Sequence, residues 1–296
     1  MITQQIRAVF QDAGTDGWLH AIPLVASPTR EIDIGADELV VMASVYKLPL
    51  LVALCRQFDS GTVDPHAPVR INPASCTPGP TGIATFLDPI TLSWRDLVCS
   101  MIAVSDSAAA DVILGRVGLP FLQKMLLDMG FPHTRIVGGT ADIEATLMRE
   151  TGTSSTAQAF ALLADNDLAR TVSAYDPAYT SATTPREMTR LLSLIWSDTA
   201  ASPDQCSFMR QLLGKQVWSH RIRAGFPYAG VRVSGKTGTI GAIRNEVSVV
   251  TFPGEVPIAV SVFTFAARAD LALPAVDAAI AEAARIAVTD LRSGRL

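Results

Sequence analysis

The spacing of apolar and polar positions changes character several times along the chain. Residues 1–12 carry a polar side chain every two or three positions, which predicts an amphipathic helix. Trp18 to Val25 and Glu31 to Met42 read as two strands joined by the turn residues Ser27-Pro28-Thr29. From Val45 to Phe58 nearly every position is apolar, the pattern of a buried helix. A Pro/Gly-rich connector from Asn72 to Gly82 leads into a long middle section. There, Leu92 to Val104, Ala108 to Val117, Leu119 to Met129 and Pro185 to Ser197 keep three-to-four-residue apolar spacing and predict helices. The last third turns to strands at Val231 to Ser234, Asn245 to Phe252 and Pro257 to Phe265, with Pro253-Gly254-Glu255 as a hairpin-like turn. An alanine-rich helix from Pro274 to Leu291 closes the chain, with proline at its tolerated first position.

This order predicts an α/β chain of the α+β kind: a sheet built from both chain ends and covered by terminal helices, with an all-helical lobe inserted. The expected division is one domain, 1–296, with an α/β lobe at about 1–43 and 218–296 and a helical lobe at about 44–217. A cleft between the lobes is the expected binding site.

Composition narrows the partner. With 49% apolar residues the chain can bury a large core, and its net charge of −4 and scattered basic residues leave no footprint for nucleic acid or an anionic membrane. A small molecule is the expected partner, and the oligomeric state stays open. No apolar run is long enough to span a bilayer, and the N-terminus does not read as a secretory signal, so a cytoplasmic protein is expected unless a leader has been removed. Cys55, Cys76, Cys99 and Cys206 are irregularly spaced, which suggests free thiols and no metal site.

Candidate chemistry begins at Ser44-Val45-Tyr46-Lys47, which puts a hydroxyl and an amine on one face of the first turn of the apolar helix. Only four of the 24 basic residues are lysines, and lysine is the cation that becomes a base when buried. Ser105-Asp106-Ser107 ends one predicted helix and begins another; alone it reads as a plain N-cap, and Ser197-Asp198-Thr199 repeats it. Lys236-Thr237-Gly238-Thr239 follows the short strand at 231–234 and alone reads as a solvated turn.

Taken in order, Ser-x-x-Lys, Ser-Asp-Ser and Lys-Thr-Gly resemble the motif set of serine β-lactamases and penicillin-binding peptidases, and the length and order resemble class A. The resemblance covers most of the chain and is weakest between Asp142 and Ala178. It implies that Ser44 attacks a carbonyl to form an acyl-enzyme, that Lys47 takes or relays its proton, and that Ser105 passes a proton to the leaving atom. It further implies that Lys236 and Thr237 hold a substrate carboxylate, that Gly238 leaves room for substrate, and that the amides of Ser44 and Thr239 form an oxyanion hole. No metal or organic cofactor is implied. Class A enzymes carry a water-activating glutamate in Glu-x-x-Leu-Asn. The counterpart is Glu144-Ala145-Thr146-Leu147-Met148, with Met148 in the asparagine position, against the plainer reading of Glu144 as a loop acid. Ser107 stands where asparagine normally meets the substrate amide, and Arg244 resembles an arginine that supports the carboxylate.

Four other readings compete. Gly230 to Thr237 matches the phosphate-loop spacing, but its β-branched interior and the following turn argue against nucleotide binding. No Gly-x-Ser-x-Gly elbow accompanies His20, His66, His133 or His220, so a Ser-His-Asp triad is not expected. A penicillin-binding-like sensor that acylates once and stalls remains open, as does an esterase or amidase of a cytoplasmic metabolite.

Overall fold

The computed structural model describes residues 2–25, 30–164 and 172–293. In chain order its elements are α1 (Ile2–Asp12), β1 (Thr15–Pro23), β2 (Ile32–Ile34), β3 (Val40–Val41), α2 (Lys47–Asp59), β4 (Pro68–Ile71), β5 (Ile90–Ser93), α3 (Trp94–Ala103), α4 (Ser107–Val117) and α5 (Leu119–Asp128). There follow α6 (Thr140–Thr151), α7 (Thr156–Leu163), β6 (Ala182–Thr183), α8 (Pro185–Trp196), α9 (Pro203–Leu213), β7 (Arg232–Ile240), β8 (Ile243–Thr251), β9 (Ile258–Ala266) and α10 (Pro274–Ser293). The five-stranded sheet runs β2-β1-β9-β8-β7, antiparallel throughout, so the first long strand lies beside the last and β7 forms one edge.

Two apolar layers hold this sheet. On one face α1 and α10 close over Leu19, Val250, Val260 and Val262 through Ile6, Phe10, Ile280 and Ala284. On the other, α2 is buried along most of its length among α3, α4, α5 and α9, as its nearly continuous apolar sequence requires. The expectation of a sheet from both chain ends with a helical insertion agrees with this architecture.

Several boundaries differ from those expected. The segment 31–42 splits into β2 and β3, and β3 leaves the main sheet to pair with β6. The proposed turn at Ser27-Pro28-Thr29 lies outside the described residues. Lys236-Thr237-Gly238 stands inside β7, not in a turn after a short strand; a full register of partners on β8, from Arg232↔Thr251 to Ile240↔Ile243, overrides its glycine-rich composition. Helices α6, α7 and α9 are additions to the expected elements. The α6–α7 pair forms its own apolar cluster, in which Leu147, Ala159 and Leu163 pack with Ala242, Ala266 and Val276 at the end of the sheet.

Candidate active site

Ser44 lies in a short 3-10 turn, Ala43–Tyr46, which feeds directly into α2 at Lys47. With about three residues per turn, such a helix eclipses side chains three apart, so Ser44 and Lys47 stack along one line. The entry is strained: Ala43 has φ +44°, a left-handed conformation that L-residues avoid at a cost on the order of 1 kcal/mol. Asn245 supports this entry from β8 by donating through Nδ2 to the carbonyls of Val41 (2.8 Å) and Met42 (3.2 Å).

Alternation along β7 explains the other side of the site. Lys236, Gly238 and Ile240 point toward the helical lobe, while Thr237 and Thr239 point to the opposite face with their partners Glu246 and Arg244. Gly238 sits directly against the Ser44 turn: a Cβ there would lie 2.6 Å from the Met42 carbonyl oxygen and 3.2 Å from the Val45 nitrogen. The absence of a side chain at Gly238 is therefore required by the protein's own backbone at the Ser44 turn. Gly238→Ala is expected to push β7 away from Ser44. It should cost about 1–3 kcal/mol in thermal unfolding, read as a lower Tm.

The amines converge. Lys47 Nζ donates to the Ser105 carbonyl at 2.6 Å and to its Oγ at 3.4 Å, and Lys236 Nζ donates to the same Oγ at 2.8 Å and to the Thr237 carbonyl at 2.9 Å. Both lysines have 0% relative exposure. Burial brings Lys47 down to about 8, against the pull of Asp106, Asp111 and Glu144, which favour its charged form. Lys236 is pushed well below the usual lysine range by burial, then by the charges of Lys47 and Arg221. Two buried ammonium groups on one hydroxyl repel each other, so the arrangement keeps an unprotonated amine available as a base. Ser105 is itself in the left-handed region, at φ +60°. Beside it, buried Asp106 caps α4 by accepting from the Ala109 amide and also accepts from Ser100 Oγ and the Ile83 amide.

A cavity of about 500 Å³ joins these groups. Ser44, Ser105, Ser107, Glu144, Thr237 and Thr239 all line it. Glu144 lies just past the first turn of α6, and α6 is fixed to the helical lobe by Asp111, whose carboxylate accepts the amides of Thr140 (2.8 Å) and Ala141 (2.9 Å). Burial, followed by the charge of Asp111, pushes the Glu144 carboxyl up to about 7. Ile143, Phe160 and Ile240 add an apolar wall from the α6–α7 pair and the end of β7.

Arg244 also lines the cavity, but its Nη2 donates to the carbonyls of Asp270 and Leu271. Arg221, which the motifs did not indicate, is the more central cation. It is 1% exposed, its Nε meets Asp277 at 2.6 Å, and it donates to the carbonyls of Gly238 and Asn245 and to Thr239 Oγ1. His220, expected to be exposed or structural, is half-exposed at the cavity and 3.8 Å from Asp277. Among the described residues no group of His, Cys, Asp and Glu is arranged to hold a metal ion.

Residues 1–291 match the family described as "Beta-lactamase enzyme family". The chain is 25% identical over 299 residues, covering 96% of it and 95% of its relative, to the beta-lactamase regulatory protein BlaB of Streptomyces cacaoi. Among solved structures it resembles a beta-lactamase of Sphaerobacter thermophilus, with a TM-score of 0.78 and 21% identity over 100% of this chain and 97% of that one. A mutant of the class A β-lactamase of the last common ancestor of Gram-negative bacteria gives a TM-score of 0.79 and 24% identity over 99% of each chain. PBP-A, in a mutant described as an acyl-enzyme complex with penicillin G, gives 0.78 and 19% over 99% of this chain and 96% of that one.

Proposed function

The chain belongs to the beta-lactamase enzyme family, and from that membership together with its cavity we propose that it is a serine hydrolase that opens an amide or ester bond, a β-lactam ring or a related small molecule, through an acyl-enzyme on Ser44. One observation carries the reading: Lys47 and Lys236, both fully buried, meet on the hydroxyl of Ser105 in the wall of the cavity that Ser44 also lines.

In the proposed reaction the Ser44 Oγ–H proton passes to the neutral amine of Lys47 as Oγ bonds to the carbonyl carbon. The developing oxyanion is met by two amides. Ser44 is the second residue of a helical turn, where N–H groups still lack intrahelical acceptors. The second belongs to the edge strand: the Thr237 amide donates to Gln216 Oε1, away from β8, and strand alternation turns the Thr239 amide the same way, toward the cavity. Ser105, bonded to both lysines, delivers a proton to the leaving nitrogen or oxygen. A substrate carboxylate is held near Lys236, Thr237 and Arg221, with Arg244 behind. Water activated by Glu144 then releases the acyl group.

A second reading has its own support. Ser107 and Met148 stand where the class A pattern has asparagine, and the relative BlaB is described as a regulatory protein, so a sensor that acylates and stalls is the alternative. Intact mass spectrometry with a chromogenic cephalosporin and a p-nitrophenyl ester, following adduct and product over time, separates the two. Product in excess of enzyme is expected. A single stoichiometric burst favours the sensor, and no Ser44 adduct with either probe removes both readings.

A further inference from the structure

Glu246 is a carboxylate that the proposed mechanism leaves unused, and it is 1% exposed inside β8. Its partners are all donors. Oε2 accepts the Ile222 amide at 2.8 Å, and Oε1 accepts Ser248 Oγ at 2.8 Å and Gln216 Nε2 at 3.5 Å. A buried acid with only donors around it is held as an acceptor, and each donor is thereby fixed in place. Two of those donors lead to the cavity. Gln216, itself buried, turns its other end to the edge of β7, where Oε1 accepts the Thr237 amide at 2.6 Å. Ile222 directly follows Arg221, whose Nη1 and Nη2 reach the Gly238 and Asn245 carbonyls and Thr239 Oγ1.

The edge of a sheet leaves backbone groups without partners, and those groups drift unless something satisfies them. Here a side chain takes the place of the missing strand at the residue next to Lys236. We infer that Glu246 and Gln216 are positioning residues that fix the carboxylate-binding side of the cavity, Glu246 acting on Thr237 through Gln216 and on Arg221 through Ile222. They touch no reacting atom. They hold the Thr237 backbone and the Arg221 guanidinium at a constant separation, which matters for a substrate that carries an anion and not for one that lacks it. The inference rests on the serine-hydrolase reading above.

The test compares benzylpenicillin, which carries a carboxylate, with p-nitrophenyl acetate, which does not. In Glu246→Gln, KM for benzylpenicillin, or the concentration giving half-maximal Ser44 acylation, is expected to rise about tenfold, the size of one lost charge-assisted hydrogen bond. The limiting rate and the reaction with p-nitrophenyl acetate should stay as in the wild type. Gln216→Ala should reproduce the split. Ser248→Ala removes a donor to the same carboxylate with no link to the cavity, and should leave both substrates unchanged. Equal losses with both substrates, or an unchanged KM in both Glu246→Gln and Gln216→Ala, would overturn the inference while leaving Ser44 chemistry intact. A wild-type enzyme that forms no adduct with either compound would overturn the hydrolase reading and this inference with it.

Discussion

Replacing Lys47 by alanine is expected to slow acylation of Ser44 by about 10²–10⁴-fold, the range that a positioned general base supplies, and Ser44→Ala should abolish it. Stopped-flow or mass-spectrometric acylation assays would measure both. An ammonium with 0% exposure among the residues of α2 and Ser105 has lost its hydration, and its proton is correspondingly loose, at about 8. The active form of a base is the deprotonated one, so acylation should rise as pH increases through about 8 and level off above it. That limb should vanish in Lys47→Ala. Thermal unfolding provides the control, because removing a desolvated amine takes away an unfavourable burial as well as a catalyst. Wild-type acylation by either variant would contradict the assignment of Ser44 and Lys47.

Much of the site was legible because its chemistry demands particular residue types at short local spacings. Ser44 and Lys47 are neighbours on one helical turn whatever the rest of the chain does, and Ser105-Asp106-Ser107 signals a helix start through its own cap. The terminal strands and helices were equally readable from period. What could not be read works through tertiary contact. Lys236 lies in a Gly- and Thr-rich stretch that resembles a turn, and only the Arg244–Val247 segment opposite makes it a strand. Arg221 gives no signal in its Ser-His-Arg-Ile-Arg setting. Asp111 and Glu246 do leave a trace, since each is an acid set in an apolar helix or strand, a place where an acid needs donors around it. The α6–α7 pair was opaque because its apolar residues face only the end of the sheet, where no long periodic stripe is required.

Glu144→Gln is expected to leave the first acylation intact while slowing release of the acyl group by about 10²–10⁴-fold, so that adduct accumulates where the wild type shows turnover. Glu144 lines the same cavity as Ser44, and its position is not accidental, for Asp111 caps α6 from α4 and so fixes the start of the helix that carries it. The same contact tunes it: burial and the neighbouring Asp111 charge bring its carboxyl up to about 7, so near neutral pH a large fraction is ionised yet still basic enough to take a proton from water. Since the base form prevails above that value, deacylation should increase as pH rises through about 7, a limb that glutamine removes. Asp111→Asn separates tuning from presence: losing that negative charge should shift the limb to lower pH while the limb itself persists. Should the wild type already stall after one equivalent, with Glu144→Gln no slower, Glu144 is a cavity-lining acid without a part in the chemistry, and the chain is a sensor built on a hydrolase's frame.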